Sequence, residues 1–409
     1  MGKSEITAGL DMGSSRVTCI IAERDDEHNK IRVLAGASVP CKGLKGGVVV
    51  NIEETARAVE QVMDAAESKA NEVVGEVYLG VRGSHIQAFD NKGGYNIART
   101  DKEITAEDVA SVIENAKTVP LTSDREILHV IPQGFSLDRQ RGVPNPIGME
   151  GALLEVGVHI VTASSPIINN LMKSVSKGGF RVVDTTYTLL AVGELVVSEE
   201  EKDLGCLLID AGGQNTSIGI YSEGSIHFSK EIAMGGDHIT RDIAYGLGTT
   251  MAAAQEIKEK YGAVFSSMME EDRLINITKL DARTKREVKP RDLLDFIQPR
   301  AEEIFDKINQ AVQGSNYAEL PGGAILTGGG ALLKGMPEAA EKLLDLSQAR
   351  LGLPAQEILQ CPEEYMTQPY LGAVALVCYP HLKTWNTDVP GPSRGSVEKR
   401  LLRWFKDLF

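Results

Sequence analysis

The hydrophobic pattern of this chain repeats one local arrangement, an apolar run with the length of a buried strand followed by a glycine-containing turn. Two copies end in Asp-x-Gly, over residues 6–16 and 206–216, and a third run over residues 324–331 leads into three glycines. Glycines in such turns let backbone N–H groups approach an anion, and the Asp at the strand end can face a metal. Three such turns predict a duplicated α/β fold that holds a nucleotide between its halves.

Periodicity predicts further elements in each half. Residues 17–23 and 31–39 alternate around a polar segment, which predicts a hairpin, and residues 51–70 have helical spacing with Asn51 as the N-cap. Helical spacing also covers residues 165–179, 188–197, 237–247, 251–261 and 291–312, and a last helix opens at Pro369.

Residues 84–161 follow a different pattern. A helix that begins after Thr105, where Asp108 completes a capping signal, is flanked by short strand-like pieces and several prolines. This change predicts a subdomain inserted into the first half, with a decorating loop region as the alternative.

Composition narrows the functional classes. The net charge of −14 argues against nucleic acid as a partner and means that contact with an anionic membrane needs a local basic segment. The five cysteines are scattered and odd in number, which favours a reducing compartment over a disulfide framework or a zinc site. We see no signal peptide and no apolar run of the ~20 residues that span a bilayer, so we expect a cytoplasmic protein with at most a peripheral anchor.

The C-terminus supplies such a basic segment. Residues 384–396 are rich in polar residues, Pro and Gly, which predicts a flexible linker, and residues 397–409 have the spacing of an amphipathic helix. An interfacial membrane anchor is the favoured interpretation, and a helix docked on its own domain is the alternative. The apolar face comprises Val397, Leu401, Leu402, Trp404, Phe405, Leu408 and Phe409, and the basic face comprises Lys399, Arg400, Arg403 and Lys406.

The three glycine turns resemble, in order and spacing, the two phosphate loops and the adenosine loop of the actin, sugar-kinase and heat-shock-chaperone superfamily. Within it, the chain resembles the FtsA family of actin-like bacterial cell-division proteins. Further segments that carry this resemblance are residues 128–133, 145–149, 229–240 and 242–249. The resemblance extends over essentially the whole chain.

This resemblance implies a duplicated actin-like (ribonuclease-H-like) fold of two domains, with a nucleotide cleft and an inserted α+β subdomain. The implied core of domain 1 covers residues 1–83, 162–195 and 365–383, and the inserted subdomain covers 84–161. The implied core of domain 2 covers 196–230 and 313–364, with a helical subdomain over 231–312. The linker (384–396) and the membrane helix (397–409) follow.

The implied ligands are ATP and magnesium. Asp11 and Asp210 are the candidate magnesium-facing carboxylates, acting largely through water because magnesium dehydrates reluctantly, and turn capping is their alternative role. Lys258 is a candidate for binding the nucleoside, and an ordinary solvated helical lysine is its alternative interpretation. With the two aspartates, the candidate nucleotide-binding residues are Gly13, Ser14, Ser15, Arg16, Gly212, Gly213, Gln214, Asn215, Gly235, Gly236, Gln255, Lys258, Gly328, Gly329 and Gly330.

Four positions depart from the superfamily pattern. Gln214 and Asn215 replace the usual Gly and Thr of the second phosphate turn, and Gln255 replaces a Glu. Thr186 stands where related ATPases place a Glu or Gln that orients water. Because threonine is no general base near neutral pH, and losing such a group costs ~10² to 10⁴ in rate, we expect tight ATP binding with weak or undetectable hydrolysis and name no catalytic residue.

The resemblance implies a cell-division protein that polymerises at the division site on the cytoplasmic face of the membrane. Its implied partners are the FtsZ C-terminal peptide, further copies of itself, anionic lipid, and other division proteins that bind the inserted subdomain. Arg300 and Glu303 match positions used for FtsZ, although ordinary solvated helix residues are the alternative. Other interpretations are a sugar or acetate kinase-like phosphotransferase, disfavoured by the lack of a recognisable acceptor base, and an actin-like pilus-assembly protein, disfavoured by the amphipathic C-terminus.

Overall fold

The computed structural model describes residues 6–25, 30–269, 274–281, 283–317, 319–354 and 359–382. The predicted linker (384–396) and the predicted membrane helix (397–409) lie outside these residues, so both stay predictions.

The first half begins with a β-meander followed by a helix. Strands β2 and β3 pair antiparallel, as the sequence predicted. The helix predicted over residues 51–70 is also confirmed, since α1 covers Ile52–Ala70. Asn51 is its N-cap, as predicted, and its side chain accepts a hydrogen bond from the backbone N–H of Glu54 at 3.1 Å. The elements are β1 (Ile6–Met12), β2 (Arg16–Asp25), β3 (Lys30–Pro40), β4 (Leu44–Lys45), β5 (Val48–Val49), α1 (Ile52–Ala70) and β6 (Glu76–Val81).

The next segment forms a sheet and a helix with their own apolar core. Its strands lie in the order β7–β10–β8–β9, and the predicted capping box of its helix is confirmed, with Thr105 and Asp108 bonding each other's backbone. The elements are β7 (Gln87–Asn96), α2 (Ala106–Lys117), β8 (Arg125–Leu137), β9 (Gln140–Val143) and β10 (Leu153–Ser164).

The chain then returns to the first half and enters the second. The helices predicted over residues 165–179 and 188–197 are confirmed, each ending one or two residues early. The elements of this return are α3 (Ser165–Lys177), β11 (Arg181–Tyr187), α4 (Thr188–Val196) and α5 (Glu199–Leu204).

The second half repeats the meander and adds a helical region. The helices predicted over residues 237–247 and 251–261 are confirmed, whereas the one predicted from residue 291 begins at Leu294, after a 3₁₀ turn that starts at Pro290. The elements are β12 (Cys206–Ala211), β13 (Thr216–Ser222), β14 (Ser225–Ile232), α6 (Gly236–Leu247), α7 (Met251–Tyr261), β15 (Ile275–Thr278), β16 (Lys285–Val288), α8 (Leu294–Gln313), β17 (Ala324–Thr327), α9 (Met336–Leu344), β18 (Ala349–Leu351), β19 (Leu359–Gln360) and α10 (Gln368–Leu382).

The two main sheets share one topology over five strands, which confirms the predicted duplication, and the first sheet has β19 as a sixth strand parallel to β3. The first runs β11–β6–β1–β2–β3–β19 and the second runs β18–β17–β12–β13–β14. In each, three antiparallel strands are followed by two parallel ones. The first strand of the meander therefore corresponds between halves: Asp11 pairs with Thr18 and Gly80, and Asp210 pairs with Ser217 and Thr327.

The last helix of the described part, α10, belongs to the first half. It packs on α4 and β1, and buried residues lie on all sides of the helix, so it is a core helix rather than an amphipathic surface helix. Among the described residues, none of the helices is both long and apolar enough to cross a bilayer.

Candidate functional site

Asp11 and Asp210, the two sequence-predicted carboxylates, meet around one arginine. Arg82 lies directly after β6, the neighbour of β1, so its side chain starts at the strand-end edge that carries Asp11. Its Nη2 donates to both carboxylate oxygens of Asp11 at 2.9 Å, and its Nη1 donates to Oδ2 of Asp210 at 3.1 Å. The equivalent strand ends of the two halves are thus joined by a single guanidinium.

Burial governs the electrostatics of this cluster. It raises the pKa of the Asp11 carboxyl, and the charge of Arg82 opposes that rise. Burial also disfavours the charged form of Arg82, but Asp11 and Asp210 outweigh it and raise the pKa of the guanidinium. A desolvated Arg–carboxylate cluster of this kind resists removal of either partner, since breaking a buried pair costs about 3–5 kcal/mol.

Glu231 on β14 extends the cluster. Its Oε1 accepts hydrogen bonds from Ser217 Oγ at 2.5 Å and Tyr187 Oη at 2.9 Å, and its Oε2 accepts from the backbone N–H of Gly83 at 3.2 Å. Burial raises the pKa of this carboxyl, while the hydrogen bonds from Ser217 and Tyr187 oppose the rise. Glu231 therefore connects the second sheet to the turn that follows Arg82.

The prediction of magnesium between Asp11 and Asp210 stays untested, and their present arrangement does not offer an open metal site. Magnesium needs a near-octahedral set of oxygens at about 2.0–2.1 Å, supplied by carboxylates, water and phosphate. Here both oxygens of Asp11 and one oxygen of Asp210 already accept hydrogen bonds from a cation. The geometry favours Arg82, which the sequence interpretation missed, as the positive charge at this position.

The first two glycine turns have matching shapes. A Cβ on Gly13 would lie 2.8 Å from the carbonyl oxygen of Arg16, and a Cβ on Gly212 would lie 2.8 Å from that of Asn215. Both distances are shorter than real Cβ contacts, so each turn needs a glycine at this position for its backbone to turn this tightly. The two turns follow β1 and β12, the equivalent strands of the two halves.

Each turn makes one polar contact with a neighbouring segment of the other half. Ser15 Oγ donates to Oδ2 of Asp237 at 3.0 Å, and the backbone N–H of Gly46 donates to Oε1 of Gln214 at 2.9 Å. Gln214, one of the departures from the superfamily pattern, thus links the second phosphate turn to the β4–β5 hairpin of the first half. Arg16 points elsewhere, because its guanidinium donates to Oγ and the carbonyl oxygen of Ser38 on β3, each at 2.8 Å.

The predicted nucleoside side also comes together. Lys258 Nζ donates to the carbonyl oxygen of Gly236 at 2.9 Å and to Thr240 Oγ1 at 2.8 Å, and Thr240 in turn donates to Oε1 of Gln255 at 2.6 Å. Burial lowers the pKa of the Lys258 ammonium. Lys258 is therefore a buried side chain of α7 whose ammonium group bonds to the first turn of α6, rather than a solvated helical lysine.

The third glycine turn closes this side of the cleft. Gly328 has φ +82°, and a Cβ there would lie 2.4 Å from Oδ1 of Asp210. The Cα of Gly330 would lie 3.8 Å from a Cβ on Gly236, and a Cβ on Gly235 would lie 2.4 Å from the carbonyl oxygen of Gly212. The third glycine turn and the Gly235–Gly236 turn thus both contact the second turn, beside Asp210, whereas a Cβ on Gly329 meets open space.

Thr186 lies within the same region. It is buried on β11 and pairs with Gly80 of β6, which in turn pairs with Asp11 of β1. Its side chain therefore stands two strands away from the carboxylate. Its assignment to the water-orienting position stays a prediction.

Arg82, Asp237 and Glu231 are residues that sequence reasoning did not assign to the site. Each lies outside an Asp-x-Gly turn, and the partners lie 71 to 222 positions away in the chain, so no local spacing reports these contacts. One signal was present for Arg82: it follows an apolar strand and precedes a glycine, at the same kind of strand end as Asp11.

Two family models match the chain. One, described as the SHS2 domain inserted in FTSA, matches residues 83–162, and the other, described as cell division protein FtsA, matches residues 207–374. The FtsA of Pseudomonas aeruginosa is 32% identical over 99% of this chain and 98% of its own length. The chain belongs to the FtsA family of cell division proteins.

Other FtsA proteins give the same result. The FtsA of Neisseria meningitidis is 33% identical over 98% of both chains, and that of Escherichia coli K12 is 29% identical over 99% of this chain and 98% of its own length. Because the match extends over nearly the full length of each relative, the FtsA assignment applies to the described region as a whole.

Solved structures confirm the actin-like fold of this FtsA chain. The PilM–PilN type IV pilus biogenesis complex contains a chain with a TM-score of 0.66 and 16% identity, covering 92% of this chain and 98% of that one. MreB5 of Spiroplasma citri bound to AMPPNP gives a TM-score of 0.53 and 12% identity, with full coverage of both chains. At these identities the likeness shows the fold alone.

The predicted partner residues of this FtsA chain lie away from the cleft, on α8. Arg300 Nε donates to Oδ2 of Asp242 on α6 at 2.6 Å, and Arg300 also pairs with Glu303 one turn further along α8. The side chain of Tyr245, one turn from Asp242, is 92% exposed. An ion-pair cluster and an exposed aromatic side chain thus share one surface of the helical region.

Proposed function

We propose that the chain is an ATP-binding cell-division protein that polymerises on the cytoplasmic face of the membrane and attaches FtsZ polymers to it. The observation that supports the nucleotide part is the presence of equivalent glycine turns in the two halves, each linked to the other half by one hydrogen bond, Ser15–Asp237 and Gln214–Gly46. Backbone N–H groups from both turns provide a cradle for a phosphate chain.

ATP is the nucleotide that we propose. The fold is the one seen in MreB5 of Spiroplasma citri, whose solved structures hold ADP and AMPPNP. The third glycine turn suits a nucleoside because its glycines have no side chains to fill the space. The buried Lys258, which bonds to Gly236, gives this side of the site a polar surface. Gly235, Gly329 and Gln255 complete the nucleoside side in this proposal.

Hydrolysis is proposed to be slow. Thr186 lies two strands from Asp11, in register with it through Gly80 of β6, and its hydroxyl is no base near neutral pH. ATP then acts as a structural ligand that holds the halves together and favours the polymerising form. The double helical filament of MamK, with a TM-score of 0.50, is built from a chain of the same fold.

Membrane attachment is proposed for residues 397–409. Half-burying their seven apolar side chains contributes about 7 kcal/mol, and basic residues near anionic lipid add about 1 kcal/mol each. Ordering the segment costs a comparable amount, so one anchor binds weakly. In a filament, each anchor raises the effective concentration of the next, and weak insertion becomes firm attachment.

The FtsZ C-terminal peptide is proposed to bind at α6 and α8. Arg300, Glu303 and Asp242 offer charged groups, and Tyr245 offers an exposed aromatic ring. Aromatic and Arg side chains are the residue types that dominate peptide-binding sites. Later division proteins are proposed to bind the inserted subdomain, whose sheet has its own core.

Co-sedimentation with vesicles tests this function. The full chain should pellet with vesicles containing anionic lipid when ATP is present, and removal of residues 397–409 should leave it in the supernatant. A matched control is the Leu401→Asp, Phe405→Asp double variant, which keeps the length of the tail but loses the apolar face. Equal pelleting with and without the tail would contradict the anchor.

A further inference from the structure

Arg82 is a fixed part of the cleft rather than a surface side chain that happens to reach it. Its side chain is 12% exposed. A Cβ on Gly47 would lie 2.0 Å from the carbonyl oxygen of Arg82, and the next residue, Gly83, has φ +122° and donates its N–H to Glu231. The close approach of Gly47 and the hydrogen bond from Gly83 to Glu231 therefore fix the backbone of Arg82, and with it the direction in which its side chain leaves the strand.

The guanidinium occupies the space that a metal would need. It touches the carboxylates of both halves, and its planar fork is matched to carboxylate geometry in a way that a hydrated ion is not. A divalent ion placed between Asp11 and Asp210 would face this positive charge within a few Å. Arginine and metal are thus alternatives at this position.

Two buried donors near the guanidinium also point to a ligand. Within the described part of the chain, Arg82 Nε and Asn215 Nδ2 are buried without a hydrogen-bond partner. Arg82 Nη1 would lie 3.9 Å from a Cβ on Gly212, in the turn that Asn215 ends. A buried donor without an acceptor is costly, and a phosphate oxygen accepts from such donors readily.

We propose that Arg82 replaces magnesium as the cation between the two phosphate turns, so that this chain binds a nucleoside triphosphate without a divalent metal. The guanidinium neutralises Asp11 and Asp210, and its remaining donor contacts the phosphate chain together with Asn215. This inference rests on the proposed nucleotide function and specifies how that same site recognises its ligand. It also accounts for Asn215, whose amide supplies a donor on the facing turn.

Equilibrium dialysis of ATP against the full chain tests the proposal, in buffer with excess Mg²⁺ and in buffer with excess EDTA. The Kd of the wild type should change by less than about threefold between the two buffers, because the cation belongs to the chain. Arg82→Ala opens the space between the aspartates, so its Kd in EDTA should exceed its Kd in Mg²⁺ by about tenfold or more.

Two further variants separate this role from folding. Arg82→Lys keeps a positive charge but loses the fork, so its metal dependence should lie between those of the wild type and Arg82→Ala. Arg350→Ala removes an arginine that pairs with Glu201 away from the cleft and should match the wild type in both buffers. The wild-type comparison needs no variant, so a failure of Arg82→Ala to fold leaves the test intact.

The outcomes are distinct. Loss of wild-type binding by about tenfold in EDTA would overturn the role of Arg82 while leaving the proposed nucleotide function in place. Metal-independent binding by Arg82→Ala would also overturn it. Absence of ATP binding by the wild type in both buffers would overturn this inference and the nucleotide function together.

Discussion

At the scale of single residues, the glycine turns determine which parts of the backbone can meet. Gly328 combines φ +82° with a Cβ position only 2.4 Å from Oδ1 of Asp210. Any side chain there must push the third turn away from the carboxylate. The third turn therefore has the most restricted position of the three.

Replacing this glycine tests the turn directly. Gly328→Ala should weaken ATP binding by about tenfold or more, because the left-handed backbone and the clash with Asp210 both displace the turn. Gly75→Ala is the matched control, since a Cβ at Gly75 meets nothing within 4 Å. Equilibrium dialysis of both variants measures the effect, and equal affinities would remove the third turn from the site.

A second substitution tests the assignment of Thr186. Thr186→Gln should raise the rate of phosphate release by about tenfold or more, because an amide can orient an attacking water where a short hydroxyl cannot. Thr185→Gln is the control, since the neighbouring side chain on β11 points to the opposite face of the sheet. A steady-state phosphate assay measures both, and no gain in Thr186→Gln would place the water elsewhere.

Sequence alone predicted the positions that depend on local backbone shape. Asp11, Asp210 and the glycines of the three turns lie at the ends of β1, β12 and β17, as predicted, because a strand followed by a glycine turn is visible within a dozen residues. Arg82 and Asp237 were missed because their roles depend on contacts between distant segments. Buried charge pairs of that kind leave no periodic signal.

At the scale of elements, helix ends were predictable where a cap was present. The helix α2 begins at a capping box in which Asp108 accepts hydrogen bonds from the backbone N–H of Thr105 at 2.8 Å and from its hydroxyl at 2.7 Å. The pKa of Asp108 is lowered to about 2, chiefly by a hydrogen bond from Arg99. The start of this helix is therefore strongly stabilised.

Removal of the cap gives a local stability prediction. Thr105→Ala should lower the free energy of opening of α2 by about 1 kcal/mol, which is about fivefold faster amide hydrogen exchange in its first turns. Ser111→Ala is the control, because this residue lies inside α2 and its hydroxyl donates to the carbonyl oxygen of Glu107 without capping the helix. Equal exchange in the two variants would contradict a stabilising cap.

Elements without a strong periodic signal were less predictable. The short helix α5, which has its own capping box at Ser198, and the β15–β16 hairpin within the predicted helical region were not foreseen. Both are only a few residues long, so their apolar positions are too few to show a period. The 3₁₀ turn before α8 was read as helix because its i, i+3 spacing resembles the helical one.

The surface of α6 and α8 provides a binding prediction. Arg300→Glu should weaken binding of the FtsZ C-terminal peptide by about tenfold or more, because it places a like charge beside Asp242 and Glu303. Arg350→Glu is the control, since it reverses another arginine that forms an ion pair, with Glu201 outside α6 and α8. Fluorescence anisotropy with a labelled peptide measures both, and unchanged binding by Arg300→Glu would place the peptide elsewhere.

At the scale of the whole molecule, the inserted subdomain belongs to one half by sequence and contacts both. Its strands β7, β8 and β10 pack against β14, and a hydrogen bond of 2.9 Å joins His159 Nε2 of β10 and Ser229 Oγ of β14. Gln133 Nε2 also donates to the carbonyl oxygen of Ile226 at 3.4 Å. The surface offered by the insertion is therefore coupled to the position of the second half.

The cleft between the halves is the feature on which the account depends. The two sheets are equivalent, and Arg82, Ser15 and Gln214 join them at the phosphate turns. These contacts bring the strand-end turns of the two halves together. The proposed phosphate-binding groups then lie on both sides of one site, so we expect the phosphates to supply most of the affinity of the ligand.

The most direct test is equilibrium binding of ATP and of adenosine to the full chain. The account predicts saturable binding of one ATP per chain, with adenosine bound at least about a hundredfold more weakly because the two phosphate turns then contact nothing. Binding of adenosine as tight as that of ATP, or no saturable binding of ATP, would contradict a cleft built around a nucleoside triphosphate.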